Sequence, residues 1–142
     1  MRSRWMVDKV FVFGTLKKGF PLHDRGLLGA AFLGVFRTHW RFPMLIAGPR
    51  FAPMMLNEPH LGFRVIGELY EVDEATLMRL DELESVGKPG NLRVLIEVEP
   101  VAAGSRVSAF AYMKQRELAE PAHSGFLDLY NDRRFKGLED EI

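Results

Sequence analysis

Arg64-Val-Ile-Gly-Glu-Leu-Tyr-Glu-Val-Asp-Glu-Ala-Thr-Leu-Met-Arg-Leu-Asp-Glu-Leu-Glu-Ser85 decides the fold class. Its first part, Arg64 to Val72, alternates in polarity as a strand with one buried face does. Asp73 then offers a side-chain oxygen to cap a helix, and the apolar spacing predicts that helix to about Ser85. Gly87, Pro89 and Gly90 stop it. A strand feeding directly into a helix is a mixed element. The flanking sequence adds strands rather than more helices.

Upstream, Val10-Phe-Val-Phe13 is wholly apolar and β-forming, as expected of a strand buried on both faces, and it ends at Gly14-Thr15. Leu16 to Gly19 reads as a turn, and Ala31 to Phe36 as a second strand. Prolines 43, 49, 53 and 59 break residues 40 to 60 into ordered loop with short strands. Downstream, Leu92 to Glu99 places Leu92, Val94, Ile96 and Val98 on one strand face, and Val107 to Lys114 is a further strand. Phe126 to Tyr130 suggests a C-terminal helix packed on the body, before a frayed acidic tail at Glu139 to Ile142. The sum is α+β with a curved sheet or small barrel, in one domain over residues 1–142. Residues 1–9 are expected to form a flexible start and 136–142 a frayed tail.

The 142 residues are 47% hydrophobic and 27% charged, enough for a core and a soluble surface. Nineteen basic residues balance nineteen acidic ones, which argues against a nucleic-acid binder working by general electrostatic attraction. The absence of cysteine excludes a disulfide scaffold, a thiolate metal site and a cysteine nucleophile, and it fits a cytoplasmic location. No apolar run approaches the roughly 18 residues of a membrane span. The first residues lack the apolar centre of a secretory signal, and Met6 is an alternative start.

The chemistry-bearing position is Glu84. At about 100° per residue, with Leu77 at zero, Leu80 falls near roughly 300°, Leu83 near about 240° and Glu84 near roughly 340°. Glu84 thus lies on the apolar stripe, with Asp81 at its edge. A carboxylate sent inward has its pKa raised by burial, which suits a general base or acid near neutral pH. The alternative is a helix end that simply faces water. The Phe13-Gly14-Thr15-Leu16 turn leaves two readings as well. Backbone N–H groups after a buried strand can hold a carboxylate or oxyanion, or the segment is an ordinary turn.

Other sites are poorer. Gly14 to Gly19 has glycine spacing near that of a phosphate-binding loop, but Phe20-Pro21 stands where Lys-Ser/Thr is required. His23, His39, His60 and His123 lie far apart, without metal-ligand spacing. No Gly-x-Ser-x-Gly elbow occurs. Met44, Met54 and Met55 read as core filler or pocket lining. Lys17-Lys18 and Arg133-Arg134 read as solvent-facing pairs. Tyr112 sits in an apolar strand, where its hydroxyl needs a partner.

Three segments together, Val10-Phe-Val-Phe-Gly-Thr-Leu-Lys-Lys-Gly19, Gly67-Glu-Leu-Tyr-Glu-Val72 and Leu80-Asp-Glu-Leu-Glu-Ser85, resemble the gamma-glutamylcyclotransferase superfamily. Within it, the order and separation look most like the gamma-glutamylamine cyclotransferases and their bacterial relatives. The resemblance covers roughly residues 10 to 115. It implies a small mixed β-barrel with flanking helices and an enzyme that needs no cofactor. The implied reaction releases 5-oxoproline from a small γ-glutamyl amide. It further implies Glu84 as the catalytic carboxylate and Phe13, Gly14, Thr15 and Leu16 as the substrate-binding turn. Arg93 and Tyr112 are secondary candidates, Arg93 for ordering the loop near Glu84 and Tyr112 for lining the pocket. The chain departs from the family pattern at Phe13, where Tyr is usual, at Asn91 in Asn91-Leu92-Arg93, where Tyr-x-Arg is frequent, and at Leu22 beside His23.

Overall fold

The computed structural model describes residues 7–137. Seven strands and two helices follow one another as β1 (Val7–Val12), α1 (His23–Leu27), β2 (Ala31–Thr38), β3 (Met44–Ala47), β4 (Ala52–Met55), β5 (Ile66–Asp73), α2 (Glu74–Leu83), β6 (Asn91–Pro100) and β7 (Val107–Lys114), with a single 3₁₀ turn at Arg116–Leu118. Five strands close into a barrel in the order β1-β5-β2-β6-β7. Its pairings are antiparallel except for the closing one, where β1 meets β7 in parallel at Val10 and Phe110. Strands β3 and β4 form a separate antiparallel hairpin.

The period-2 geometry of β1 explains why all of its second half is apolar. Phe11 points into the barrel with Leu69, Ile96, Val98, Ala109, Ala111 and Met113. Val10 and Val12 point outward, beneath the two helices, with Tyr70, Val72, Leu77, Leu80 and Tyr112. The strand is therefore buried on both faces, as its composition requires. Leu92 and Val94 pack against the interior cluster that contains Ile96 and Val98, so the one-face reading of β6 holds.

Helix α2 starts as its sequence dictates: Asp73 Oδ1 accepts the N–H of Thr76 at 2.8 Å. That bond also holds the Asp73 carboxyl below its ordinary pKa. Leu77 and Leu80 are the residues it buries. Helix α1 has five residues and no side-chain cap, and packs against α2 at Gly26. A Cβ on Gly26 would lie 2.5 Å from a Leu16 methyl and 2.9 Å from a Leu80 methyl, so only glycine admits both.

Two expectations need correction. Phe126 to Tyr130 is not helical. The chain there is an extended strap whose backbone groups bond other elements: His123 N–H to Ile46 O at 2.8 Å, Leu127 N–H to Met44 O at 2.7 Å, and Asp128 O from Ile66 N–H at 2.8 Å. A helix would have to break these bonds and withdraw Tyr130, which is fully buried. At the start, Val7 to Lys9 belong to β1, paired with Asp73, Val72 and Glu71, rather than to a flexible segment. At the end, Lys136 N–H bonds Arg50 O at 2.9 Å, and the expected fraying of Glu139 to Ile142 lies outside the described residues, as do Met1 to Met6.

Candidate active site

The C-terminal end of α2 does not fray. Glu84 N–H bonds Leu80 O at 2.9 Å, so Glu84 keeps its place on the helical screw. Ser85 then turns to φ 55°, in the left-handed region. Ser85 N–H bonds Glu82 O at 3.0 Å and Val86 N–H bonds Asp81 O at 2.9 Å. This pair of bonds is a Schellman closure with Ser85 in the position usually taken by glycine. It fixes Glu84 as the C-cap of the helix, directly after Leu83, and keeps it in line with the apolar stripe. A non-glycine residue held in this region carries strain, and such strain concentrates at functional sites. Ser85→Gly is expected to raise thermal stability by about 1 kcal/mol while leaving the site geometry and the activity of the chain intact. Calorimetric melting alongside a turnover assay measures both.

Glu84 lines a narrow cavity of ≈ 30 Å³ between the ends of β1, β7 and α2. Phe13, Gly14, Thr15 and Leu16 form one wall, Tyr112 and Lys114 another, and Pro53 and Met54 of the hairpin close it. Every candidate read from the sequence except Arg93 lines this cavity. Gly14 is required by the hairpin, because a Cβ there would run into the Pro53 ring.

The turn is held by its carbonyls. Gly14 O accepts Lys17 N–H at 3.0 Å, Thr15 O accepts Leu22 N–H at 2.9 Å, and Leu16 O lies 2.9 Å from His23 Nδ1. None of the N–H groups of Gly14, Thr15 and Leu16 donates to a backbone carbonyl outside the helices and strands of the described residues. They are the groups suited to an incoming anion.

Burial pushes the Glu84 carboxyl above the ordinary carboxylate range, and the neighbouring Lys114 ammonium offsets part of that rise. The side chain keeps 21% of its surface accessible, and Glu84 is among the residues that line the cavity. Lys114 Nζ lies 3.7 Å from Glu84 Oε2.

Tyr112 donates its hydroxyl to Asp81 Oδ1 at 2.7 Å, and Arg93 Nη1 donates to Asp81 Oδ2 at 2.8 Å. The Arg93 guanidinium also lies over the Phe110 ring, 4.6 Å from its centre. Arg93 therefore reaches the site through Asp81, which it shares with Tyr112, and not as a lining residue. Burial, then the bond to Asp81, drives the Tyr112 hydroxyl far above its ordinary pKa, so it stays a neutral donor.

Two residues escaped the sequence reading. Lys114 closes an apolar strand, and nothing local marks it as facing Glu84. Lys17, expected in solvent, is buried: it donates to Tyr130 O at 2.8 Å and sits 4.9 Å from the Phe20 ring centre. Burial lowers its pKa. The strap thereby anchors the loop that carries the turn.

A larger open groove, ≈ 660 Å³, is lined by Leu45, Leu56, Arg116 and Pro121. Its arginine is occupied by a bidentate pair with Glu58, at 2.9 and 2.7 Å, which holds the guanidinium above its ordinary pKa and leaves it no free donor face for a ligand carboxylate. Among the described residues no cluster of three or more His, Cys, Asp or Glu could hold a metal ion, and no helix is long and apolar enough to cross a membrane.

A closed five-stranded barrel thus carries an outer helix whose desolvated terminal carboxylate shares one cavity with a glycine turn. A model of the family described as "Gamma-glutamyl cyclotransferase, AIG2-like" matches residues 10–130, and the chain belongs to that enzyme family. It is 39% identical to the gamma-glutamylaminecyclotransferase of Bos taurus over 91% of this chain and 79% of that one. It is 44% identical to a putative gamma-glutamylcyclotransferase of Arabidopsis thaliana over 59% of this chain, but spans only 47% of that relative's length. The crystal structure of an AIG2-like protein from Mus musculus superposes with a TM-score of 0.73 at 33% identity, covering 92% of this chain and 99% of that one.

Proposed function

We propose that this chain is a cyclotransferase that converts a small γ-glutamyl amide into 5-oxoproline and a free amine, with Glu84 carrying the proton. The observation that supports the reading best is the Glu84 carboxylate, lifted in pKa and facing the Gly14–Leu16 turn across one small cavity.

The substrate's α-amine must attack its own side-chain carbonyl to close a five-membered lactam. At neutral pH that amine is mostly protonated and cannot attack. Glu84 takes its proton. The new C–N bond forms as the nitrogen adds to the carbonyl carbon, and negative charge develops on the carbonyl oxygen. In this reading the N–H groups of Gly14, Thr15 and Leu16 receive the developing oxyanion or the α-carboxylate. As the old amide C–N bond breaks, the attacking nitrogen, now positively charged, gives its second proton to the departing nitrogen, and Glu84 returns the first proton to the freed amine, leaving a lactam N–H and an ammonium product. Atoms balance without water and without a redox step, so the reaction calls on no cofactor. A carboxyl with a raised pKa serves both transfers, because it is neither too weak a base nor too weak an acid.

Holding a folded substrate conformer, in which the amine already lies near the carbonyl, supplies an effective-concentration advantage. Tyr112, fixed by Asp81 and Arg93, shapes the wall beside Glu84. Phe13 presents no hydroxyl to the cavity it lines, and in this reading it bears on substrate choice rather than on the reaction. The reading takes residues 1–142 as one such domain, working in the cytoplasm on a small soluble substrate, without nucleic acid or membrane.

The test is 5-oxoproline release followed by mass spectrometry on γ-glutamyl-ε-lysine, γ-glutamyl-alanine, a γ-glutamyl polyamine and glutathione. Release from at least one of them is expected, and the amine that appears with it identifies the leaving group. No release from any of the four, by protein shown to be folded, contradicts the reading.

A further inference from the structure

We propose that Lys114 is the positioning residue of this site: its ammonium grips Glu84 at both carboxylate and carbonyl, and so keeps an anion in place in a largely apolar pocket. The inference rests on the cyclotransferase reading for its kinetic consequence, but its geometry stands apart from that reading. Lys114 Nζ lies 3.7 Å from Glu84 Oε2 and donates to Glu84 O at 3.4 Å. A third bond, to Asn91 Oδ1 at 2.6 Å, holds the ammonium from the opposite strand. Asn91 is Lys114's cross-strand partner in the β6–β7 ladder, and its amide nitrogen donates to Lys88 O and Pro89 O, both at 3.4 Å. Lys114 O is fixed as well, by Asn57 N–H at 3.2 Å. The lysine is therefore clamped at both ends, with 16% of its side chain accessible.

Asn91 thus orients the cation. The clamp also separates two tasks at the helix end. The Schellman closure fixes the backbone of Glu84, and Lys114 fixes its charge. The charged and titratable groups around Glu84 are few: Lys114 and Tyr112 from β7, Asp81 from its own helix, and Arg93 from β6. Asp81 and Arg93 neutralise one another at 2.8 Å, and Tyr112 is a neutral donor to Asp81. Lys114 is the cation left to act on Glu84 among them.

The sign follows from electrostatics. An ammonium beside a carboxyl favours the anion, whereas burial favours the acid. Without Lys114 only burial remains. Glu84 would then hold its proton to higher pH and could not accept one from the substrate amine near neutrality.

The experiment is the pH profile of kcat/KM for the wild type, Lys114→Met, Lys114→Gln and Lys114→Arg, with a ¹³C NMR titration of the Glu84 carboxyl, assigned by difference against Glu84→Gln. Losing the cation is expected to move the acid limb upward by about 1–2 pH units. At pH 6 this appears as a loss of roughly tenfold or more that recovers in alkaline buffer. Lys114→Arg retains the cation and is expected to keep the limb in place. An equal loss at every pH in both neutral variants, with the limb unmoved, overturns the proposal. So does a raised KM with kcat and limb unchanged, which would make Lys114 a direct anchor for the substrate carboxylate. Should the wild type release no 5-oxoproline, the cyclotransferase reading fails by itself. The NMR titration still decides Lys114: an upward shift in the neutral variants supports it, and an unmoved carboxyl contradicts it.

Discussion

Glu84→Gln is expected to cut 5-oxoproline release by about 10²–10⁴-fold, the usual cost of deleting a general acid–base group. Gln fills the same volume and keeps a polar head near Lys114, so the pocket wall survives, but an amide cannot take a proton from the substrate amine. Stability is expected to move the other way. Burial raises the folded-state pKa of Glu84 above its unfolded value. A carboxyl shifted upward favours the folded state most at low pH, and that contribution is lost as pH rises through the folded pKa. Near neutrality the wild type therefore bears the cost of a buried anion that the Gln variant does not. The variant should melt at or above the wild-type temperature at pH 7, and the two curves should converge in acid. A variant that is inactive because it is unfolded would contradict this. So would an active one.

Leu80→Ala is expected to be the most damaging single change to the fold around the site. Leu80 is fully buried, and its methyls pack where a Gly26 side chain would otherwise project. Its carbonyl accepts the Glu84 N–H. Truncating a buried leucine costs about 2–5 kcal/mol. For a domain of this size that is a melting point lowered by on the order of 10 °C. Because the same turn of helix sets Glu84, turnover at a temperature where the variant remains folded should fall too. Denaturant unfolding, paired with turnover at low temperature, separates the two effects. A variant with unchanged stability would mean that α2 is not held by its apolar stripe.

How much of this was legible in the sequence depends on how local each determinant is. The strand β1 could be read because both of its faces are apolar. The helix α2 could be read because Asp73, Leu77, Leu80 and Glu84 fall in register within one short segment, and the angle of Glu84 on that stripe follows from helical geometry alone. Whether its end frayed could not be read. That was decided by Ser85 adopting a left-handed conformation, which a serine does not advertise. Helix α1 was missed because five residues show no period, and its Gly26 reads as a breaker until Leu16 and Leu80 are known to meet there. The C-terminal strap was misread because Phe126, Leu127 and Tyr130 can mark a helix as easily as an extended chain. The choice was made by β3 and β5, which offer backbone partners. Lys17 and Lys114 were beyond reach for the same reason. One of two adjacent lysines is buried because Tyr130, 113 positions away, offers its carbonyl. Lys114 faces Glu84 because β7 and α2 end at one place. Arg93 was placed in the right neighbourhood, but its contact is Asp81.

The most direct measurement of the central claim is turnover in H₂¹⁸O, with mass analysis of both products. Intramolecular attack by the α-amine consumes no water, so the account requires 5-oxoproline without ¹⁸O, released in equal amount with the free amine and lost in Glu84→Gln. Glutamate carrying ¹⁸O in its γ-carboxylate would show that water is the nucleophile and that the site is a hydrolase, contradicting the cyclisation.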